Sequence, residues 1–284
     1  MAWTVKTICN KLKLEFSGED LAVVDASSLN KSKSEGITFL KNKKVKLPNQ
    51  YDNKTFVVPV GYGIAPSGAA YIYSENPKIT FSDILELLYP GATPNGLIQV
   101  GQGTIIEDGA SIGANTLIGS NCVVKSCVSI GANCVIKSGT IIGEDGFGFE
   151  YTQTGIPVQI RHIAGVKIGD NVNIGSNCTI DRGMLDDTEI WNNVKIDNLV
   201  HIGHNCVVKD NVIITACAEL SGGVVLNTGA WVAPNASILQ RVDIGVGAVV
   251  GIGASVIKDV KAQERVSGIP AMLLRELVKI KGSK

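Results

Sequence analysis

The sequence predicts a mainly β protein in which a parallel β-helix of hexapeptide repeats lies between a small α/β domain and a short helix. A branched aliphatic residue recurs at every sixth position, a period that neither a helix nor a simple strand produces. The chain also has 32 glycines and only 5% aromatic residues, which suits tight corners and small inward side chains. The first part of the chain lacks this period and is therefore expected to fold separately.

Residues 1–97 are predicted to form the α/β domain. Val5, Ile8 and Leu12 follow one face of a first helix. Ser82 with Asp83 is expected to cap a second helix that ends before Pro90. Short strands are predicted at 36–40, 55–60 and 69–73.

Residues 98–260 are predicted to form the β-helix. Three hexads complete one coil, so residues 18 apart in unbroken register should stack about 4.8 Å apart. The period is interrupted at 143–167 and 181–189, where loops on a rigid scaffold often carry function. Residues 261–284 are predicted to hold an amphipathic helix that begins near Pro270 and caps the open end of the β-helix.

Bulk properties exclude several classes of protein. Lys and Arg total 26, as do Asp and Glu, so no net field attracts nucleic acid or an anionic membrane. No stretch approaches the ~18 apolar residues of a transmembrane helix, and the start lacks the pattern of a secretion signal. We therefore expect a cytoplasmic protein whose seven cysteines are reduced, buried packing residues.

The repeat register singles out one corner of the β-helix. His204 lies two places after the repeat aliphatic Ile202, and Gly222 lies 18 residues further on. A second step of 18 reaches Gln240, next to Arg241. A corner histidine can simply be solvated, but glycine beside it leaves room for a ligand and exposes a backbone N–H.

This corner suits acyl transfer. An imidazole base and an N–H donor are the groups that a tetrahedral intermediate requires. Asp197, seven residues before His204, is expected to accept a hydrogen bond from the ring and orient it.

Several segments resemble one known family. The stretches Gly143–Phe149, Thr179–Thr188 and Ile196–Asn205 resemble the UDP-3-O-(3-hydroxyacyl)glucosamine N-acyltransferases of lipid A synthesis, often written LpxD. Ala26–Asn42 and Glu75–Phe81 resemble the uridine-binding N-terminal domain of that family, so the resemblance covers nearly the whole chain. It implies a left-handed β-helix, a homotrimer with active sites between subunits, and acyl transfer to a nucleotide-linked amino sugar without a metal or permanently bound cofactor.

The resemblance also assigns roles to individual residues. His204 matches the general base, Asp197 the carboxylate that orients it, and Gly222 the glycine whose N–H stabilises the oxyanion. Phe39 matches an aromatic residue that stacks on uracil, and Asn42 a polar residue that contacts the nucleotide.

Three departures from the family keep the acyl donor open. Arg241 stands where the family has a second histidine, and it is expected, with Gln240, to contact substrate or donor. Val45 replaces a second aromatic residue of the uracil site. The chain also ends soon after its predicted C-terminal helix, whereas the family continues into a segment that meets acyl carrier protein. The co-substrate is therefore expected to be an acyl thioester of either acyl carrier protein or coenzyme A.

Two further classes of function remain as alternatives. Some trimeric β-helices are zinc hydratases, and the three histidines His162, His201 and His204 supply enough ligands for one metal ion. A non-catalytic scaffold is the other alternative.

Overall fold

The structure, a computed structural model, describes residues 3–29, 34–47, 51–90 and 96–268. The chain divides into two compact units, Met1–Thr93 and Pro94–Lys284, close to the predicted boundary at residue 97. None of the helices within the described ranges has the length and apolar character needed to cross a membrane.

The first unit has a five-stranded sheet with apolar clusters on both faces. One cluster includes Ile8, Ile37 and Ile84, and the other includes Phe56 and Tyr71. The sheet order is β2-β7-β6-β5-β4, and β1 pairs with β3. The elements are β1 (Trp3–Thr4), α1 (Val5–Leu12), β2 (Phe16–Gly18), β3 (Ala22–Val23), β4 (Asp25–Ala26), β5 (Gly36–Phe39), β6 (Lys54–Pro59), β7 (Ala69–Ser74) and α2 (Pro77–Leu88).

Both predicted helices exist, but the start of the second differs. α1 begins after Thr4, which forms a capping box with Thr7. α2 begins at Pro77, and the side chain of Asn76 accepts a hydrogen bond from the N–H of Ile79 at 3.4 Å. The predicted cap at Ser82 and Asp83 is wrong, because an asparagine followed by proline already starts the helix one and a half turns earlier.

The second unit is a parallel β-helix whose described residues form three sheets. The nine-stranded sheet contains β8 (Gln99–Val100), β11 (Leu117–Ile118), β14 (Val135–Ile136), β19 (Asn173–Ile174), β22 (Lys195–Ile196), β25 (Ile213–Ile214), β28 (Trp231–Val232), β31 (Val249–Val250) and β33 (Arg265–Val266). The eight-stranded sheet contains β9 (Ile105–Ile106), β12 (Val123–Val124), β15 (Ile141–Glu144), β20 (Thr179–Asp181), β23 (His201–Ile202), β26 (Glu219–Leu220), β29 (Ser237–Ile238) and β32 (Ser255–Val256). The seven-stranded sheet contains β10 (Ser111–Ile112), β13 (Val128–Ile130), β18 (Val166–Ile168), β21 (Thr188–Ile190), β24 (Val207–Val208), β27 (Val225–Leu226) and β30 (Asp243–Ile244).

The predicted register of 18 residues per coil is confirmed. Ile202 pairs with Leu220 and Leu220 with Ile238 in parallel ladders. The repeat aliphatics fill the interior, and those from Ile118 onward are buried. One coil contains 18 residues, and strands 18 residues apart pair with each other. Each corner therefore lies directly above the equivalent corner of the preceding coil.

The first predicted interruption is an antiparallel hairpin formed by β16 (Phe149–Tyr151) and β17 (Pro157–Gln159). The second is a tight turn between β20 and β21. At the far end, β33 extends the nine-stranded sheet beyond residue 260, because Val266 pairs with Val250. The predicted C-terminal helix lies outside the described residues.

All seven cysteines are free thiols. Five are buried, and burial raises the pKa of the Cys206 thiol to about 12. Cys217 is exposed, which corrects the prediction that every cysteine is buried. It occupies a corner with φ of 60°, a left-handed position that asparagine and glycine fill most often in this β-helix.

Candidate active site

His204 lies at the corner that follows β23, half-buried and directly beneath Gly222 of the next coil. The N–H of Gly223 donates to the carbonyl of His204 at 2.8 Å, which fixes the spacing of the two coils. A Cβ atom on Gly222 would lie 2.6 Å from His204 Nε2 and 2.7 Å from Cε1. Only glycine therefore leaves room for the imidazole to present Nε2 at this corner.

The backbone N–H of Gly222 is available to a ligand. At some other corners the N–H of the second residue after the aliphatic donates to a side chain of the next coil. Examples are Ser176 N–H to Asn198 Oδ1 and Asn192 N–H to Asp210 Oδ1, both at 2.8 Å. Gln240 is the equivalent residue of the coil above Gly222, and its side chain is exposed. Among the described residues no acceptor receives a hydrogen bond from the Gly222 N–H. A free N–H thus lies beside Nε2 of His204.

Asn205 fixes the tautomer of His204. Its Oδ1 lies 2.9 Å from His204 Nδ1, while its Nδ2 donates to the carbonyl of Asp186 at 2.7 Å. The N–H of Met184 also donates to Asn205 Oδ1 at 3.1 Å, so the amide is held from both sides. Because Oδ1 only accepts, Nδ1 of His204 carries the proton and Nε2 carries the lone pair.

Within one chain the structure does not bring Asp197 to His204. Asp197 is exposed, and its Oδ1 accepts from the N–H of Asn198 at 2.8 Å. The physical reason is the period itself: Asp197 follows β22 of the nine-stranded sheet and His204 follows β23 of the eight-stranded sheet, so they occupy different corners. Sequence reasoning instead missed Asn205, the residue that does orient the ring within this chain.

Gln240 and Arg241 lie one coil beyond Gly222, at the same corner, and both are exposed. The N–H of Arg241 donates to the carbonyl of Gly222 at 3.0 Å. Arg241 has a φ of 60°, so it fills the left-handed position that Asn205 fills two coils earlier. Arg241 is the third residue after its repeat aliphatic, whereas His204 and Gly222 are each the second residue after theirs.

The three histidines lie near one another, together with one buried carboxylate. The rings of His162 and His204 meet edge to face, with centroids 5.1 Å apart. His201 Nε2 is 3.8 Å from Asp181 Oδ2. Burial raises the pKa of Asp181, and the neighbouring imidazoles of His201, His204 and His162 act in the opposite direction.

The cluster does not have the geometry of a metal centre. Across the described parts of the chain, no group of three or more histidine, cysteine or acidic side chains is arranged to hold a metal ion. His162 Nδ1 donates to the carbonyl of Ile160 at 3.0 Å, and His201 Nδ1 lies 2.8 Å from Thr179 Oγ1. This arrangement gives the zinc hydratase alternative no support.

The predicted nucleotide residues lie in the first unit. Phe39 is half-buried at the end of β5 and packs on Phe81 of α2, with ring centroids 5.1 Å apart. A cavity of about 480 Å³ adjoins both rings. Asn42 is exposed, and its Oδ1 accepts from the N–H of Lys44 at 3.0 Å. Val45 packs in the other apolar cluster of this unit, with Tyr71, so it does not face Phe39 across a common site.

The fold is a parallel β-helix built on hexapeptide repeats. Residues 109–144 and 187–222 match the family described as bacterial transferase hexapeptide (six repeats). Residues 165–198 match the hexapeptide repeat of succinyl-transferase. These repeats match a left-handed β-helix, as predicted.

Among curated proteins the chain is similar to UDP-3-O-acylglucosamine N-acyltransferases. It is 38% identical to that of Caulobacter sp. (strain K31) over 135 residues, which are 48% of this chain and 39% of the relative. It is 51% identical to that of Leptospira biflexa serovar Patoc over 84 residues, 30% of this chain and 24% of the relative. The predicted resemblance is thus confirmed for these segments, which span less than half of this chain and less than half the length of these relatives.

A solved structure described as a UDP-N-acetylglucosamine acyltransferase has the same fold. It superposes with a TM-score of 0.51 and 20% identity over 67% of this chain and 76% of the other. At this identity the likeness concerns the fold alone.

Proposed function

We propose that the protein is an N-acyltransferase that moves an acyl group from a thioester to the amine of a nucleotide-linked amino sugar. The observation that carries this proposal is the corner at Gly222, where an imidazole lone pair and a free N–H lie side by side. The names of the curated relatives support the same reaction.

The geometry suits each step of the transfer. The sugar amine attacks the thioester carbon, a C–N bond forms, and the carbonyl oxygen becomes an oxyanion that the Gly222 N–H stabilises. His204 Nε2 takes the proton from the nitrogen. The oxyanion then re-forms the carbonyl, the C–S bond breaks, and the imidazolium returns the proton to the departing thiolate.

The donor is an acyl thioester of acyl carrier protein or of coenzyme A, and the sugar nucleotide is the acceptor. In this proposal Arg241 and Gln240 contact the donor or the acceptor at the rim of the corner, since both are exposed beside Gly222. Phe39 and Asn42 bind the nucleotide, the cavity beside Phe39 receiving the base.

The proposal is tested by assaying the purified protein with a UDP-linked amino sugar and two donors, a 3-hydroxyacyl acyl carrier protein and acetyl-coenzyme A. We expect an amide product that mass spectrometry detects and an equal amount of free thiol. Product with the first donor only supports the lipid A type of reaction, and product with the second only supports a short-chain sugar acetyltransferase. An absence of amide product with both donors would contradict the proposed function.

We further propose that the active unit is a homotrimer in which Asp197 acts on His204 of a neighbouring chain. Asp197 lies at a different corner of the coil from His204, so its carboxylate serves the base only across an interface. We expect Asp197→Ala and His204→Ala chains to be inactive alone. When coexpressed and purified through two different tags, they should recover roughly a third of the wild-type rate, because each mixed trimer has one of its three interfaces with both residues intact. If the mixed oligomers are inactive, Asp197 either takes no part in the reaction or acts on His204 of its own chain.

Asn205→Gly is expected to lower kcat by roughly tenfold to a hundredfold, because the hydrogen bond that holds Nδ1–H of His204 is lost. Glycine accepts the φ of 60° at this position, so the change removes the side chain without backbone strain. The matched control is Asn211→Gly, which changes the same residue type at the next left-handed corner, φ 61°, away from His204. Equal rates for the two variants would show that Asn205 is only a corner residue.

A further inference from the structure

His162 is a buried group that the proposed reaction does not use. It follows the hairpin and is 2% exposed. Its Nδ1 donates to the carbonyl of Ile160 at 3.0 Å, which leaves Nε2 with the lone pair of a neutral ring. Nε2 is fully buried and has no hydrogen-bond partner among the described residues. A buried nitrogen without a partner is costly to the fold and calls for a functional explanation.

The ring of His162 lies against the ring of His204. The two rings are tilted by 70° with centroids 5.1 Å apart, and the backbone of Gly146 fills the space beside them. A Cβ atom on Gly146 would lie 3.0 Å from His162 Nε2, 2.8 Å from His204 Cβ and 2.9 Å from His204 Cδ2. The contact therefore holds His204 from the side opposite to Asn205 and fixes the plane of its ring.

Several charged groups surround the two rings. The Asp181 side chain is only 13% exposed, and it interacts electrostatically with all three histidines. The guanidinium of Arg182 donates to the carbonyl of Ala164 and lies 4.0 Å from Asp145. The titratable and charged groups near the pair are Glu144 on β15, Asp145 in the hairpin loop, Asp181 and Arg182 at the end of β20, and His201 on β23.

We infer that His162 is a positioning residue for His204: its buried ring orients the imidazole, and its Nε2 lone pair stabilises, with the Asp181 carboxylate, the imidazolium that forms during transfer. This inference rests on the proposed role of His204 as the base. It also gives the hairpin a role in the reaction, because β17 is what carries His162 to the corner.

His201 offers a matched control. It shares the Asp181 carboxylate at 3.8 Å, but its side chain is 41% exposed and its Nδ1 lies 2.8 Å from Thr179 Oγ1. Water screens its charge. His201→Gln should therefore leave the rate within about twofold of wild type.

The first test compares His162→Leu, His162→Gln and His201→Gln in the acyl-transfer assay. We expect His162→Leu to lower kcat about tenfold, with KM changed less than twofold, and to move the acidic limb of the pH profile down by about one unit. The sign follows because a less stabilised imidazolium loses its proton at lower pH. His162→Gln retains an acceptor at this place and should recover most of the rate. Wild-type pH profiles in all three variants would overturn the inference, as would equal losses in both His162 variants without a pH shift.

The second test needs no turnover. Because the chain has three histidines, each ring Cε1–H resonance of histidine-labelled protein can be assigned by substitution. The His204 resonance should titrate at lower pH in His162→Leu than in wild type, and unchanged in His201→Gln. A shift without acyl transfer in the wild type would reject the proposed function and keep the coupling. Acyl transfer in the wild type without a shift would reject the coupling and keep the function.

Discussion

Replacing His204 with alanine is expected to reduce kcat/KM for acyl transfer by about 10²–10⁴, because the reaction loses its general base. The side chain is half-buried at a corner and not part of the apolar interior, so the melting temperature should change little. The residual rate should also lose the acidic limb of the pH profile that titration of the base produces. Steady-state kinetics across pH, with thermal unfolding of the same samples, checks both expectations.

His204→Gln distinguishes proton transfer from simple occupancy of the corner. Glutamine fills much of the same space and keeps hydrogen-bonding atoms, but it does not take a proton at neutral pH. We expect it to be as slow as the alanine variant. If either variant transfers acyl groups at the wild-type rate, His204 is not the base.

Replacing Gly222 with alanine is expected to lower kcat by about 10²–10³, a loss typical of a disturbed oxyanion site. The new Cβ would lie 2.6 Å from His204 Nε2, so the imidazole has to rotate away from the position it occupies beside the N–H. His204 is a side-chain end that can move, and the φ of Gly222 lies outside the left-handed region. The fold should therefore tolerate the change, and the melting temperature should stay close to that of the wild type.

Gly223→Ala is the matched control, and it should give the opposite result. Gly223 has a φ of 73°, so alanine there is strained and should cost about 1–2 kcal/mol of stability. Its Cβ would lie 3.3 Å from Arg241 Cγ, away from the imidazole. We expect a lower melting temperature with kcat near wild type. A Gly222→Ala enzyme as fast as wild type would show that this corner does not hold the reacting atoms.

Much of the site followed from the repeat. Because the side chains of a β-helix stack with the period of the coil, counting in steps of 18 placed Gly222 above His204, and the ladder confirms that register. The same count places Asp197 one hexad before His204, at a different corner, so the contact expected between them does not form within one chain.

The sequence did not single out the other residues that contact His204. Asparagine is the most frequent residue at the left-handed corners of this β-helix, so Asn205 looks like one more corner residue until its amide contacts are seen. His162 and Asp181 lie where the six-residue period is broken, and there the sequence carries no register. Only the folded hairpin and turn bring them to the ring.

The stacking of His204 and Gly222 also has a consequence for motion. In many enzymes the base and the oxyanion donor lie on loops, and their separation fluctuates as the loops open and close. Here they belong to consecutive coils joined by the hydrogen bond from Gly223 N–H to His204 carbonyl. The spacing between the two backbone positions is therefore set by the sheet, and it changes only when hydrogen bonds of the ladder break.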